Sequence, residues 1–201
     1  WVLQTADIDM QSVFFMPIGL ADTENRFYGV YDGGGHTISN LTVHSNELTV
    51  KNALFGSLFG SVLNVGIESG RIYGDYAAGI ASEGYHLKTR ILNSYSKAEV
   101  YGTVRSGGFV DDFGGDIFNC WYDNAQKLPF CSFRGGLIYH CFTVGDVMAK
   151  NAASVGEISD CIENTDFAAH AEAERFDRQF NESSLTGSME YGYSRSDMVL
   201  W

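Results

Sequence analysis

Proline is nearly missing from this chain, with 2 among 201 residues, while glycine is plentiful at 23. Glycine at that level without a Gly-X-Y period points to many tight turns between short strands. Basic residues are also scarce: 13 Lys and Arg stand against 25 Asp and Glu, for a net charge of -12. That balance argues against a nucleic-acid binder, which needs a basic stripe to displace counterions. It argues equally against docking on anionic lipid heads. No apolar run approaches the roughly 20 residues of a membrane span, so no membrane insertion by this segment is expected. Four cysteines are too few for a disulfide scaffold at this length, and no C-x-x-C pair is present to suggest zinc. There is no H-E-x-x-H, G-x-S-x-G or phosphate-binding loop. The chain opens on Trp1-Val2-Leu3-Gln4, without a starting Met or a signal peptide, and reads as a fragment of a longer polypeptide.

What the sequence does hold is a repeat. Hydrophobic residues make up 45% of the chain, enough for an ordered core. Six times a glycine-flanked stretch runs into one phrase: a branched aliphatic, any residue, a polar residue, then a small or apolar one. The copies are Ile38-Ser39-Asn40-Leu41, Val62-Leu63-Asn64-Val65, Ile91-Leu92-Asn93-Ser94, Ile117-Phe118-Asn119-Cys120, Ile138-Tyr139-His140-Cys141 and Ile158-Ser159-Asp160-Cys161. The polar position advances by 24, 29, 26, 21 and 20 residues. Two or three short strands with a turn at each corner, repeated at such a period, describe one coil of a β-solenoid. Six phrases predict about six coils.

Positions one and four of the phrase are both apolar or small, hence both buried. An odd step between two inward positions breaks the strand period of two. The polar residue between them therefore belongs at a corner, where Asn tolerates a left-handed backbone and stacked amides bond from coil to coil. Cys120, Cys141 and Cys161 share the fourth position. They predict a ladder of buried thiols, with a disulfide between neighbouring rungs as the alternative. The repeat stops after Cys161, placing a solenoid over 1–163 and a C-terminal helical or irregular cap over 164–201. Within the cap, Phe176 and Phe180 are spaced as on one helix face, and Asn164, Thr165 or Asp166 would cap its start.

The phrase Phe27-x-Gly29-x-Tyr31-Asp32-Gly33-x-Gly35-His36-Thr37-Ile38-x-Asn40-Leu41, with Leu58-Phe59-Gly60 and the later Ile-x-Asn-Cys-aromatic units, resembles the GLUG-repeat family of bacterial surface proteins. The resemblance covers roughly residues 1 to 162. It implies an all-β, right-handed parallel β-helix in a secreted or cell-wall-anchored protein, adhesin-like and extracellular. The same repeats also accompany immunoglobulin-A-cleaving metallopeptidases, which leaves an accessory role beside a protease as an alternative. No catalytic residue of the repeat transfers to this chain. Partners implied are a host or matrix protein or a glycan. His140 and Asp160 depart from the corner Asn, and Ile162 stands where an aromatic is expected.

Three places in the sequence could carry chemistry. Asp32 and His36 flank the glycine triplet, where a turn-stabilising hydrogen bond is the plainer reading. Asp111, Asp112 and Asp116, with Arg105 just before them, are similar in composition to the acidic face of pectate-lyase-like β-helices, where carboxylates bind calcium and a basic residue abstracts a proton. The analogy is at fold level, and makes the three aspartates a weak calcium candidate; solvated loop carboxylates are the simpler expectation. Finally, the residue after the phrase is Tyr95, Trp121 and Phe142 in three successive units. Its neighbour points inward, so this row is expected to point outward and form an aromatic stripe for a sugar or a protein partner, unless a flanking loop or the terminal helix covers it. The expectation overall is a non-catalytic segment for adhesion or spacing, with a carbohydrate-binding or polysaccharide-cleaving β-helix as the alternative.

Overall fold

Every polar residue of the repeated phrase occupies the left-handed region: φ is 58° at Asn40, 53° at Asn64, 47° at Asn93, 52° at Asn119, 52° at His140 and 53° at Asp160. A left-handed residue between two extended ones swings the chain through a corner. In the computed structural model, which describes residues 1–20, 24–45, 51–86 and 88–166, these corners organise a parallel β-solenoid of about four turns.

Three parallel sheets form its walls. The largest, of eleven strands, folds around the asparagine corner, and the strand Ser61–Ile67 runs through that corner. Before the corner, Val62, Ile91, Ile117 and Ile138 stack in register and are fully buried. After it come Tyr95–Ser96, Trp121–Tyr122 and Phe142–Thr143. The second sheet holds Leu41–His44, Lys51–Asn52, Gly70–Ala78 and Glu99–Gly107. The third holds Phe55–Ser57, Ala81–Gly84, Val110–Phe113 and Cys131–Gly135. Their inward rows meet in one core that contains Phe55, Ile72, Val100, Phe109 and Val110. Burying each such side chain is worth about 1.5–3 kcal/mol, so a coil is held chiefly by the coils above and below it.

The number of turns is lower than the six phrases predict, and register explains why. Ile38 pairs with Ile67, not with Val62, and Leu41 pairs with Gly70. The first phrase therefore sits one corner further along the coil. Gly33, Gly34 and Gly35 take the place in line with Asn64, with φ of 62° and 79° at Gly34 and Gly35. The last phrase, at Ile158–Cys161, begins a coil that does not return to the third wall among the described residues.

The later coils are also shorter. Steps of 21 and 20 residues replace 29 and 26 because these coils have no strand in the second wall, whose last member among the described residues is Glu99–Gly107. Gln126 covers part of that exposed edge: its Oε1 accepts from Val100 N at 2.7 Å, and its Nε2 donates to Val100 O at 3.1 Å. No helix occurs among the described residues. The helical cap expected over 164–201 lies outside them from residue 167 onward.

Candidate functional site

The third wall carries the densest group of charges. Its register aligns Ser57, Glu83, Asp112 and Arg134 in successive coils. A register shift against the next coil puts one extra residue on the Cys131–Arg134 side, and both Asp111 and Asp112 are buried. Arg105 answers them from the end of the second wall. Its Nε lies 3.1 Å from Asp111 Oδ1, and its Nη2 lies 3.6 Å from Asp112 Oδ2. Arg134 Nε approaches Asp112 Oδ1 at 3.6 Å, and Tyr85 Oη donates to Asp112 Oδ2 at 3.4 Å. Glu83 accepts from Ser57 Oγ at 3.2 Å and lies 3.9 Å from Arg26.

Electrostatics follow from burial. Burial pushes the Asp111 carboxyl up to about 6, against the pull of Arg105. Burial, then the negative charge of Asp112 and Glu83, pushes the Tyr85 hydroxyl far above its usual range. Arg105 is held further by rings: its guanidinium is 3.9 Å from the Phe133 centroid and 4.9 Å from Tyr76, whose ring also carries Lys51 Nζ at 3.6 Å. Lys51, Tyr76 and Arg105 are register partners in successive coils, so cation and ring alternate along the axis.

Of the sequence candidates, the fold brings together Asp111, Asp112 and Arg105. It separates Asp116, which lies on the first wall 3.6 Å from Arg90, in register with it. The calcium set is thus divided, because the strand Asp116–Phe118 belongs to a different sheet from Val110–Phe113. Among the described residues no three His, Cys, Asp or Glu side chains converge as a metal site. Asp32 and His36 do not pair as a dyad. Asp32 Oδ1 accepts from Gly34 N at 2.9 Å and from Asn64 Nδ2 at 3.0 Å, while His36 Nδ1 lies 3.4 Å from Asp7.

The aromatic row exists as a register ladder: Gly66, Tyr95, Trp121 and Phe142 are successive partners. Tyr95 and Trp121 stack at 4.1 Å and 9°. A Cβ at Gly66 would collide with the Tyr95 ring. The stripe is not the exposed one expected, however. Tyr95 is 3% exposed, Trp121 2% and Phe142 0%. Tyr95 Oη is engaged by Glu68 at 2.6 Å, and Lys97 lies over both rings at 5.4 Å. Rings enclosed to this degree offer no face to a sugar.

A different row stands open. On the second wall His44, Tyr73 and Tyr101 are register partners. Tyr73 and Tyr101 stack at 4.9 Å and 7°, and His44 meets Tyr73 edge-on at 6.0 Å. Tyr101 is 43% exposed. Beside it run Thr42, Arg71 and Glu99, which line a groove of about 410 Å³ with Gln11, Ser12 and Asn40. Tyr101 Oη donates to Glu99 Oε2 at 2.8 Å, and Arg71 Nε lies 3.2 Å from the same oxygen. The repeated phrase does not point to this row, because His44, Tyr73 and Tyr101 lie outside it. A fainter signal does: Arg71-Ile72-Tyr73-Gly74 and Glu99-Val100-Tyr101-Gly102 are themselves a repeat.

Compared with protein-family models, with curated proteins and with solved structures, the chain matches none.

Proposed function

We propose that this chain is a non-catalytic repeat segment of a larger bacterial surface protein, working outside the cell as a rigid spacer or adhesion module. The observation that carries the reading is the side-chain column at the corner, where Asn64 donates to Asp32, Asn93 to Asn64 at 3.3 Å and Asn119 to Asn93 at 2.7 Å. Such a column ties coil to coil along the axis, which suits a part whose work is to hold shape. The charged cluster on the third wall supports the same reading, since its carboxylates face Arg105, Arg134 and Arg26. A hydrolase or lyase uses an acid or base aimed at a substrate. The GLUG-like phrase and the solenoid agree with a surface role.

A second reading, a carbohydrate-binding module, is favoured by the row of exposed His44 and Tyr101 with half-buried Tyr73 between them, beside its polar groove. One experiment addresses both. The purified chain is applied to immobilised glycans and matrix proteins, and incubated with acidic and neutral polysaccharides. Binding without chain cleavage supports adhesion, and neither binding nor cleavage supports a spacer. Release of reducing or unsaturated ends at a rate that scales with protein overturns the non-catalytic reading.

A further inference from the structure

We propose that Cys141 and Cys161 form a dithiol site that closes to a disulfide by exchange with a small-molecule disulfide, stapling the last described coil to the one before it. Register places the two cysteines side by side. Tyr139 pairs with Ser159 just before them, and Phe142 bridges Ile162 just after. Backbone bonds lock that alignment: His140 N donates to Ser159 O at 3.1 Å and Ile162 N to Cys141 O at 2.9 Å. Neighbouring strands lie about 4.8 Å apart, and disulfides span Cα separations of roughly 4.4–6.8 Å.

The thiols point along the same axis. Cys161 Sγ is 3.3 Å from Ser159 O and 3.6 Å from Ile138 O, which belongs to the coil of Cys141. Cys141 Sγ is 3.3 Å from Tyr139 O and 3.8 Å from Ile117 O, one coil further back. Their surroundings assign them different parts. Cys161 is half-buried and lines a cavity of about 530 Å³ at the last turn, with Met148, Lys150, Asp160 and Glu163. Cys141 is buried behind it. The neighbouring Cys141 thiol holds the Cys161 thiol below its usual range, although burial, Asp160 and Glu163 oppose this. Burial pushes Cys141 up, so Cys161, the one that lines the cavity, is the readier of the two to lose its proton. Cys120 and Cys131 are buried with thiols pushed far up by burial, and neither lines that cavity.

The exchange balances as two displacements. The Cys161 thiolate attacks one sulfur of oxidised glutathione; the S–S bond breaks, a mixed disulfide forms and one glutathione thiolate leaves. Cys141 then attacks the Cys161 sulfur, its proton passing to the second departing glutathione thiolate. The two cysteines lose two electrons in total, and glutathione disulfide is reduced to two thiols.

The test treats the folded 201-residue chain with oxidised glutathione, blocks remaining thiols with an alkylating agent and maps the peptides by mass spectrometry. The expected product is a Cys141–Cys161 cross-link with Cys120 and Cys131 alkylated only after unfolding. Exchange of amide hydrogens around 158–162 should slow by about tenfold or more on oxidation, because the closed loop restricts opening of the end coil. In Cys161→Ser, Cys141 should gain no glutathione. Any of three results overturns the proposal: both cysteines unmodified while the unfolded chain reacts, a mixed disulfide at Cys161 that never closes, or a cross-link from Cys141 to Cys120.

Discussion

Asn119 Nδ2 donates to Asn93 Oδ1 at 2.7 Å across one step of the solenoid, and both residues stand in the left-handed region at a buried corner. The same side chain thus answers two demands, one of the backbone and one of the column. Asn93→Ala removes both: a left-handed alanine costs about 1–2 kcal/mol, and each buried group left without its bond costs about 1–3 kcal/mol. A loss of roughly 3 kcal/mol or more in urea unfolding is expected from these two costs together. Asn93→Gly restores the backbone alone and should lose less. A glycine variant as damaged as the alanine one would contradict the backbone half of this account.

Asp111 links stability to pH. Its carboxyl is raised from 3.8 to about 6 in the folded chain. The folded state therefore holds this proton more tightly than the unfolded one. The resulting stability is fully present below about pH 4 and is lost as pH rises through about 6. Asp111→Asn has no such proton to lose. The stability of the variant relative to the parent chain should climb between those two pH values, measured by denaturant titration at several pH points. A flat difference across the window would assign the charge of Asp111 no part in it.

Trp121→Ala tests whether the enclosed aromatic ladder belongs to packing. Trp121 is stacked on Tyr95 and in register with Phe142. Its removal should cost about 3–5 kcal/mol, lowering the thermal midpoint by several degrees. Adding a methyl at Gly66 should also destabilise, since it would meet the Tyr95 ring.

The exposed row makes the opposite prediction. Tyr101→Ala removes a half-exposed ring, and should change stability by less than about 1 kcal/mol. If glycan binding occurs, Tyr101→Ala and Tyr73→Ala should weaken it several-fold, read by titration calorimetry, while Trp121→Phe leaves it unchanged. Equal loss from all three would move the binding surface elsewhere.

Gln126→Ala exposes the edge of Glu99–Gly107, whose Val100 backbone it covers through two bonds. An open strand edge is a template for pairing with another chain. The variant should show more self-association by light scattering at equal concentration, with a loss of about 1–2 kcal/mol in stability.

Much of this architecture could be read directly from residue order. Branched aliphatics at 62, 91, 117 and 138 name an inward row, and a polar residue two places later names a corner, since only a few residue types accept positive φ. The first phrase misleads because local spelling carries no register. Ile38-Ser39-Asn40-Leu41 turns a corner like the others, but Gly33–Gly35 consume extra residues before it, so it turns the next one. The aromatic row is legible as a row and not as a surface, because burial depends on what else packs there. The charged cluster is half legible: Arg105 and Asp111 are close in the chain, whereas Arg134, Tyr85 and Glu83 arrive from other coils.

Residue order alone accounts for the elements that are local: strands from alternation, corners from asparagine, turns from glycine, and a stacked solenoid from the recurrence of all three. Packing in three dimensions settles the rest. It fixes which corner each phrase occupies, how many coils close, that Asp116 stands apart from Asp111, and that Tyr101 rather than Trp121 faces solvent. Those properties depend on register between coils 20 to 29 residues apart. Register is a sum over every rung of packing and hydrogen bonding at once, and no single phrase records it.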